Sequence, residues 1–274
     1  MTSLPLNDLA LLAAAVLAAG LAGGLIAGLF GVGGGTVLVP ALFYAFSVLG
    51  LGGESNLHVA IGTSLLTIVA TSWRSLGAHR AHGAVDEEVL KTWTPWVGAG
   101  ALVGAAIAGM TSMEGLAVVY AVCLAVVAAQ MGLLPETVHL RKDLPTGGWR
   151  RGIGGLIGLL SAMMGVGGGS FGGMLMTLCG RPIHQAVATA SGFGIAIGAA
   201  ATLGFIVFGF GADGRPPLSL GYVNVPAAVA MGVLTTLVAP YGAKLAHRLD
   251  RKVLRKAFAI YLLLTAISVV VKAL

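Results

Sequence analysis

Ten apolar stretches run along the chain, over residues 9–30, 36–50, 58–77, 93–110, 115–134, 152–164, 170–179, 186–210, 223–240 and 253–272, separated by short polar loops. Several approach the roughly 20 residues that a helix needs to cross a bilayer, whereas 36–50, 152–164 and 170–179 are too short to cross upright. Backbone in lipid has to satisfy its own hydrogen bonds, so every stretch is expected to be helical. The pattern predicts an all-α polytopic membrane protein. The polar stretch Pro135–Arg151 reads as a cytoplasmic linker, dividing a first repeat over 1–134 from a second over 152–274. The 9–30 run is longer than a secretory h-region and has no basic residue before it, which predicts a first membrane helix rather than a cleaved leader.

The two halves carry the same local features. Gly31-Val-Gly-Gly-Gly35 returns as Gly165-Val-Gly-Gly-Gly169, followed by Thr36 in one copy and Ser170 in the other. Gly83-Ala-Val85 pairs with Gly221-Tyr-Val223, Gly104-Ala105 with Gly242-Ala243, and Leu116 and Tyr120 with Leu254 and Phe258, all at an offset of 138 residues. One offset shared by unrelated features indicates duplication. Basic residues change places between equivalent loops. Arg74, Arg80 and Lys91 sit in the first-half 74–91 region, whose counterpart near 211–222 has only Arg215. The 110–115 loop has no basic residue, whereas its counterpart 244–256 has Lys244, Arg248, Arg251, Lys252, Arg255 and Lys256. By the positive-inside rule, equivalent loops then lie on opposite faces, as in an inverted repeat of about five hydrophobic segments per half. If each glycine run turns the chain back as a hairpin, loops 74–91, 135–151 and 244–256 all fall in the cytoplasm. The N terminus is then periplasmic.

Composition narrows the class. Only 9% of the 274 residues are charged and 57% are hydrophobic, with mean hydropathy +0.94. A soluble domain has about 25% charged residues, so a soluble enzyme and a disordered chain are both excluded. The net charge of +6 is concentrated in loops, which points to topology rather than nucleic acid. Cys123 and Cys179 lie in apolar runs and read as packing residues. Forty-three residues are glycine, roughly twice the ordinary share of about 7%.

The glycine runs carry the candidate chemistry. Glycine frees φ and uncovers backbone N–H groups. A helix opening at Thr36 or Ser170, with a hydroxyl N-cap and a positive dipole end, suits an anion. Gly33, Gly34, Gly35, Thr36, Gly167, Gly168, Gly169 and Ser170 are therefore the candidate binding residues. In inverted-repeat transporters such breaks meet near the midplane. The alternative is close helix packing, which is enough for the GxxxG spacings Gly20/Gly24/Gly28, Gly100/Gly104, Gly154/Gly158 and Gly194/Gly198.

Gly28-Leu-Phe-Gly-Val-Gly-Gly-Gly-Thr36 and Ala162-Met-Met-Gly-Val-Gly-Gly-Gly-Ser170 resemble the paired signatures of the TauE/SafE sulfite and sulfonate exporter family. His58-Val-Ala-Ile-Gly-Thr-Ser64 and Gln185-Ala-Val-Ala-Thr-Ala-Ser191 resemble its second signature in each half. Gly83-Ala-Val-Asp86 and Ala243-Lys-Leu-Ala-His-Arg-Leu249 also fit. The resemblance spans about 15–272 and implies a bacterial inner-membrane protein that moves sulfur oxyanions or organosulfonates. One departure is that Pro40 follows the first turn, where the second has Met174.

Thr63, Ser64, Thr189 and Ser191 are further candidates. Their hydroxyls either donate to an oxyanion or bond back to their own helix. His58 and Gln185 open equivalent segments. A histidine there either senses protonation or sits in interfacial water, and His184 beside Arg181 poses the same choice. All ten carboxylates fall in loops or near segment ends, which argues against a buried acidic proton relay. Arg74 either attracts substrate or snorkels. There is no HExxH and no Walker sequence. Gly167-Gly-Gly-Ser-Phe-Gly172 fits GxGxxG only literally, and His79 with His82 is a weak metal pair. No catalytic residue, metal or cofactor is expected. The expected function is a secondary transporter of a small anion, in the lipid bilayer and with a homodimer open. An anion channel, a membrane-embedded enzyme and a non-transporting scaffold are the alternatives.

Overall fold

The computed structural model describes residues 6–30, 34–51, 53–133, 141–246 and 251–273. Among them are ten α-helices: α1 (Leu6–Phe30), α2 (Gly35–Val48), α3 (Asn56–Ala81), α4 (Glu87–Met110), α5 (Met113–Leu133), α6 (Gly147–Met164), α7 (Phe171–Leu178), α8 (Ile183–Phe208), α9 (Val225–Ala246) and α10 (Arg251–Ala273). Each matches one apolar stretch of the sequence. Six stretches of described residues are long and apolar enough to cross a membrane: Gly53–Ala81, Glu87–Met110, Met113–Leu133, Ile183–Phe208, Val225–Gly242 and Arg255–Ala273. Their outward faces are apolar too. Val118, Val122 and Val126 on α5, Val229, Val233 and Leu237 on α9, and Ile260, Leu264 and Ile267 on α10 are all exposed at helical spacing. Stripes of that kind suit lipid rather than water. The chain is a multi-pass membrane protein.

One boundary differs from expectation. α6 begins at Gly147, inside the stretch expected to be linker. Just past its first turn, Arg151 lies over the Trp96 ring of α4, 5.1 Å from the centroid. The described residues are all-α apart from one short ladder. Ser219–Leu220 and Val223–Asn224 pair as a minimal antiparallel ladder, with Gly221 at φ +56° in its turn. The counterpart of that turn, Gly83-Ala-Val85, is a plain helix-to-helix connection.

Glycine sets the helix pairings. α1 packs along α9, α6 along α4, α3 along α8 and α5 along α10. Lipid tails are as apolar as leucine, so close backbone approach has to supply much of the association. A Cβ on Gly158 would strike the Val97 carbonyl, and one on Gly104 the Leu159 carbonyl, where α4 meets α6. Gly24 meets Thr235 and Gly242 meets the Leu25 carbonyl, where α1 meets α9. Gly194 and Gly198 on α8 lie against Ser72 and Val69 on α3. All four GxxxG spacings thus contribute to packing. In both α1–α9 and α4–α6 the contacts climb together along the two helices, so the partners run in the same direction.

Loop contacts identify the two ends of the bundle. At one end Ser55 Oγ donates to the Asp213 carbonyl (3.0 Å), and His58 Nε2 bonds the Ala108 and Thr111 carbonyls (each 3.0 Å). Loops 49–55, 111–112 and 209–224 therefore gather there. At the other end Arg181 pairs with Asp86 (3.7 Å), and the Arg141 amide donates to the Leu178 carbonyl (3.3 Å). Loops 82–86, 141–146 and 179–182 gather at this second end.

Candidate functional site

The first glycine turn doubles the chain back. Gly34, at φ +76°, is the N-cap of α2, and its carbonyl accepts from the Val37 and Leu38 amides (2.9 and 3.0 Å). That left-handed φ is one that glycine adopts without steric penalty. Leu38 packs on Gly23 of α1, so α2 runs back along the helix that precedes it. Gly31, Val32 and Gly33 lie outside the described residues. The second turn also reverses the chain. Gly165 caps α6 at φ +65°, and α7 ends beside Arg141 and Lys142, near the end where α6 began.

The two turns meet. A Cβ on Gly35 would strike the Gly165 carbonyl, and it would lie 2.9 Å from Val166 Cα and 3.1 Å from Ile68 Cδ1, halfway along α3. Ser64 Oγ donates to the same Gly165 carbonyl (2.9 Å). Gly168 is pressed against the Ala190 carbonyl and Phe193 of α8. Gly167 is buried and Gly169 half-buried on the same turn.

The hydroxyls behind the turns do not act as caps. Thr36 is the second residue of α2, one past Gly35, and Ser170 is the N-cap of α7 without a side-chain cap bond. The sequence reading of a hydroxyl N-cap is therefore corrected at Thr36, whereas Ser170 takes the cap position without making the side-chain bond. In the first turn, Gly34 occupies the left-handed cap position and Thr36 is carried into the helix. Thr36 Oγ1 and Ser170 Oγ are buried without a hydrogen-bond partner, and so is Ser161 Oγ, one turn below Gly165. Burying a hydroxyl unpaired costs roughly 1–3 kcal/mol, so three beside one backbone contact need an explanation.

Pro40 accounts for the asymmetry between the hairpins. It has no N–H to give the Thr36 carbonyl four residues back, and Tyr261 Oη donates there instead (3.3 Å). In the second hairpin Met174 makes the ordinary bond to the Ser170 carbonyl (3.1 Å).

The remaining candidates divide. Thr63 Oγ1 accepts the Asn224 amide (2.9 Å), and Thr189 Oγ1 accepts the Asp86 amide (2.9 Å). Ser191 Oγ bonds back to the Ala188 carbonyl (2.6 Å), the self-satisfied option. His58 is buried, which corrects the reading of it in interfacial water. It closes the end of α4 through Nε2 and lies tilted against the Tyr222 ring, with centroids 4.9 Å apart. His58 and half-buried Gln185 sit near the ends of the bundle, away from the meeting turns. His184 is exposed, as is Arg74, which fits snorkelling. Cys123 and Cys179 are buried free thiols, as expected of packing residues.

Sequence reasoning missed Ser161, Tyr261 and the paired caps Asp86 and Asn224. The caps were within reach, because Asp86 and Asn224 directly follow the matched Gly83-Ala-Val85 and Gly221-Tyr-Val223. Ser161 carried no signal, since a serine in an apolar helix is unremarkable until its neighbours are known.

Comparison with known proteins agrees with a membrane protein. The family profile described as "Sulfite exporter TauE/SafE" matches residues 16–269. A Haemophilus influenzae protein described as "Probable membrane transporter protein" is 30% identical over 258 residues, covering 93% of this chain and 97% of its own. Bacillus subtilis "Probable membrane transporter protein YunE" is 25% identical over 163 residues, covering 53% of this chain and 60% of its own. No solved structure gives a significant match. With nearly its whole length matched, the chain belongs to the TauE/SafE sulfite exporter family.

Proposed function

We propose that this membrane transporter carries a small anion, sulfite or an organosulfonate, across the bacterial inner membrane by alternating access, with the two glycine turns as its binding site. The observation that carries the reading is the contact between Gly35 and Gly165, flanked by the buried, unpartnered hydroxyls of Thr36, Ser161 and Ser170. Hydroxyls can donate to an oxyanion, and no carboxylate is needed beside them.

An inverted repeat is the framework of the proposal. α3 starts at the end bearing loop 49–55, and its counterpart α8 starts at the end bearing loop 179–182. α4 and α9 are opposed in the same manner. The α1–α2 hairpin enters from one end and the α6–α7 hairpin from the other. Arg80, Arg141, Lys142, Arg150, Arg151 and Arg181 cluster at the 82–86 end, which the positive-inside rule assigns to the cytoplasm. The N terminus is then periplasmic. The domain division follows the repeats, the first over 1–134 and the second opening with α6 at Gly147 rather than at 152. Rocking one half on the other would expose the meeting point to each side in turn.

The test is counterflow of radiolabelled sulfite, then of sulfonates and thiosulfate, into proteoliposomes preloaded with the unlabelled anion. Counterflow above empty liposomes is expected. Conductance without counterflow would make the protein a channel, and silence with every anion would leave a scaffold. Gly34→Leu and Gly168→Leu should abolish counterflow with membrane insertion intact; full activity in both would remove the site.

A further inference from the structure

Hydroxyl side chains continue beyond the turns, some buried and some half-buried. From Thr36 a succession of hydroxyl side chains follows the seam between α2 and α10. Tyr261 Oη bonds the Thr36 carbonyl and is itself hydrogen-bonded to Thr265, one turn further along α10. Ser268 comes next on α10, and its hydroxyl bonds that of Tyr44 on α2. Tyr120, on the α5 helix that packs along α10, is fully buried and its hydroxyl has no partner. The succession starts where the two turns meet. It ends where α2 reaches the 49–55 loop, because Asn56 at the start of α3 bonds the Phe43 carbonyl and Ser47 Oγ (3.1 and 2.7 Å).

Helix adhesion alone does not call for this row. The repeat offset of 138 residues places Cys123, Val127 and Gln130 of α5 opposite Tyr261, Thr265 and Ser268 of α10, and Phe258 opposite Tyr120. The corresponding positions of α5 therefore hold a thiol, a valine and the Gln130 amide where α10 has three hydroxyls. α5 and α10 pack well on each other despite that difference. Two of the six hydroxyls, those of Thr36 and Tyr120, are buried and unpaired, and they would gain bonds from a passing acceptor.

We propose that Thr36, Tyr261, Thr265, Ser268, Tyr44 and Tyr120 line the path by which the carried anion passes between the meeting point of the turns and the 49–55 end of the bundle. The proposal rests on the binding-site reading above. It gives the two half-paths different chemistry: hydroxyl donors on the side away from the basic loops, and a thiol, a valine and an amide at the matching positions of α5. An oxyanion is handed from donor to donor without crossing a bare apolar stretch.

The test uses the full chain with Cys123→Ala and Cys179→Ala, in proteoliposomes during counterflow. Thr265→Cys and Ser268→Cys should react with a membrane-impermeant methanethiosulfonate added from the face bearing loop 49–55, and sulfite should slow the reaction. Val127→Cys should not react from that face. Separately, Thr265→Val should lower counterflow by about tenfold, the worth of one hydrogen bond to a charged group, and Thr265→Ser should restore it. Unreactive cysteines during turnover, labelling that sulfite does not slow, or a full-rate Thr265→Val would each overturn the path. Counterflow by the parent protein separates the two readings. If it is absent for every anion, the binding-site reading fails; if it is present with a full-rate Thr265→Val, only the path fails.

Discussion

Thr189 Oγ1 accepts the amide proton of Asp86 at 2.9 Å, and in the other half Thr63 Oγ1 accepts that of Asn224 at the same distance. Each acceptor sits on the third helix of one half, and each donor caps the fourth helix of the other. The Asp86 carboxylate takes the Val89 amide and the Asn224 amide oxygen takes the Ala227 amide, each at 3.1 Å. The halves are thus joined by a reciprocal pair of bonds at the two ends of the bundle. Of the two capping residues only Asp86 is ionisable, and Arg181 pairs with its carboxylate at 3.7 Å.

Removing either acceptor leaves a backbone N–H without its partner. Thr63→Val and Thr189→Val should each destabilise the protein by about 1–3 kcal/mol, and Thr→Ser at either position should recover most of that. Thermal melts of detergent-purified protein read the difference; a Thr63→Val melt that matches the parent would contradict the assignment.

Thr36 and Ser170 should behave the opposite way. Their hydroxyls are buried without a partner, so Thr36→Val and Ser170→Ala should leave the melting temperature unchanged or higher. Counterflow should fall about tenfold in each if the hydroxyls donate to the anion. Lower stability with undiminished transport would show that they serve packing.

Among the glycines of α6, position decides tolerance. A Cβ on Gly158 strikes the Val97 carbonyl, whereas one on Gly152 meets nothing within 4 Å. Gly158→Ala should cost about 1–3 kcal/mol by forcing α6 off α4. Gly152→Ala should stabilise the helix by up to about 1 kcal/mol. Equal melts for the two variants would contradict the packing.

Sidedness is measurable. In a cysteine-free background, Arg80→Cys and Lys142→Cys should label from the cytoplasmic face, and Glu54→Cys and Asp213→Cys from the periplasmic face. Residue 250 should label with residue 80; labelling of 80 and 250 from opposite faces would remove the inverted arrangement.

Cys179 lies outside the spans, where burial pushes its thiol pKa up, partly opposed by Arg141 and Arg181. Little thiolate should exist at pH 7, so iodoacetamide should modify it far more slowly than in unfolded protein, with the rate rising as pH is raised. A fast reaction at neutral pH would contradict the burial.

Much of this protein could be read from its sequence. Every apolar stretch became a helix, because lipid leaves a backbone few other ways to pair its polar groups. The glycine runs marked the breaks, since few other residues tolerate the φ of Gly34 and Gly165. What the sequence could not supply is which partner each hydroxyl finds. Thr63, Ser64, Thr189 and Ser191 look alike along the chain. Yet one bonds its own helix, one the facing glycine turn, and two the caps of the opposite half. Thr36 and Ser170 resembled caps, but Gly34 took the cap position in the first turn. Periodicity and backbone chemistry are local, so they are written in the order of residues. Hydrogen-bond partners are set by distances between segments far apart in the chain, and only the packed bundle brings Gly35 against Gly165 and Tyr261 against Thr36.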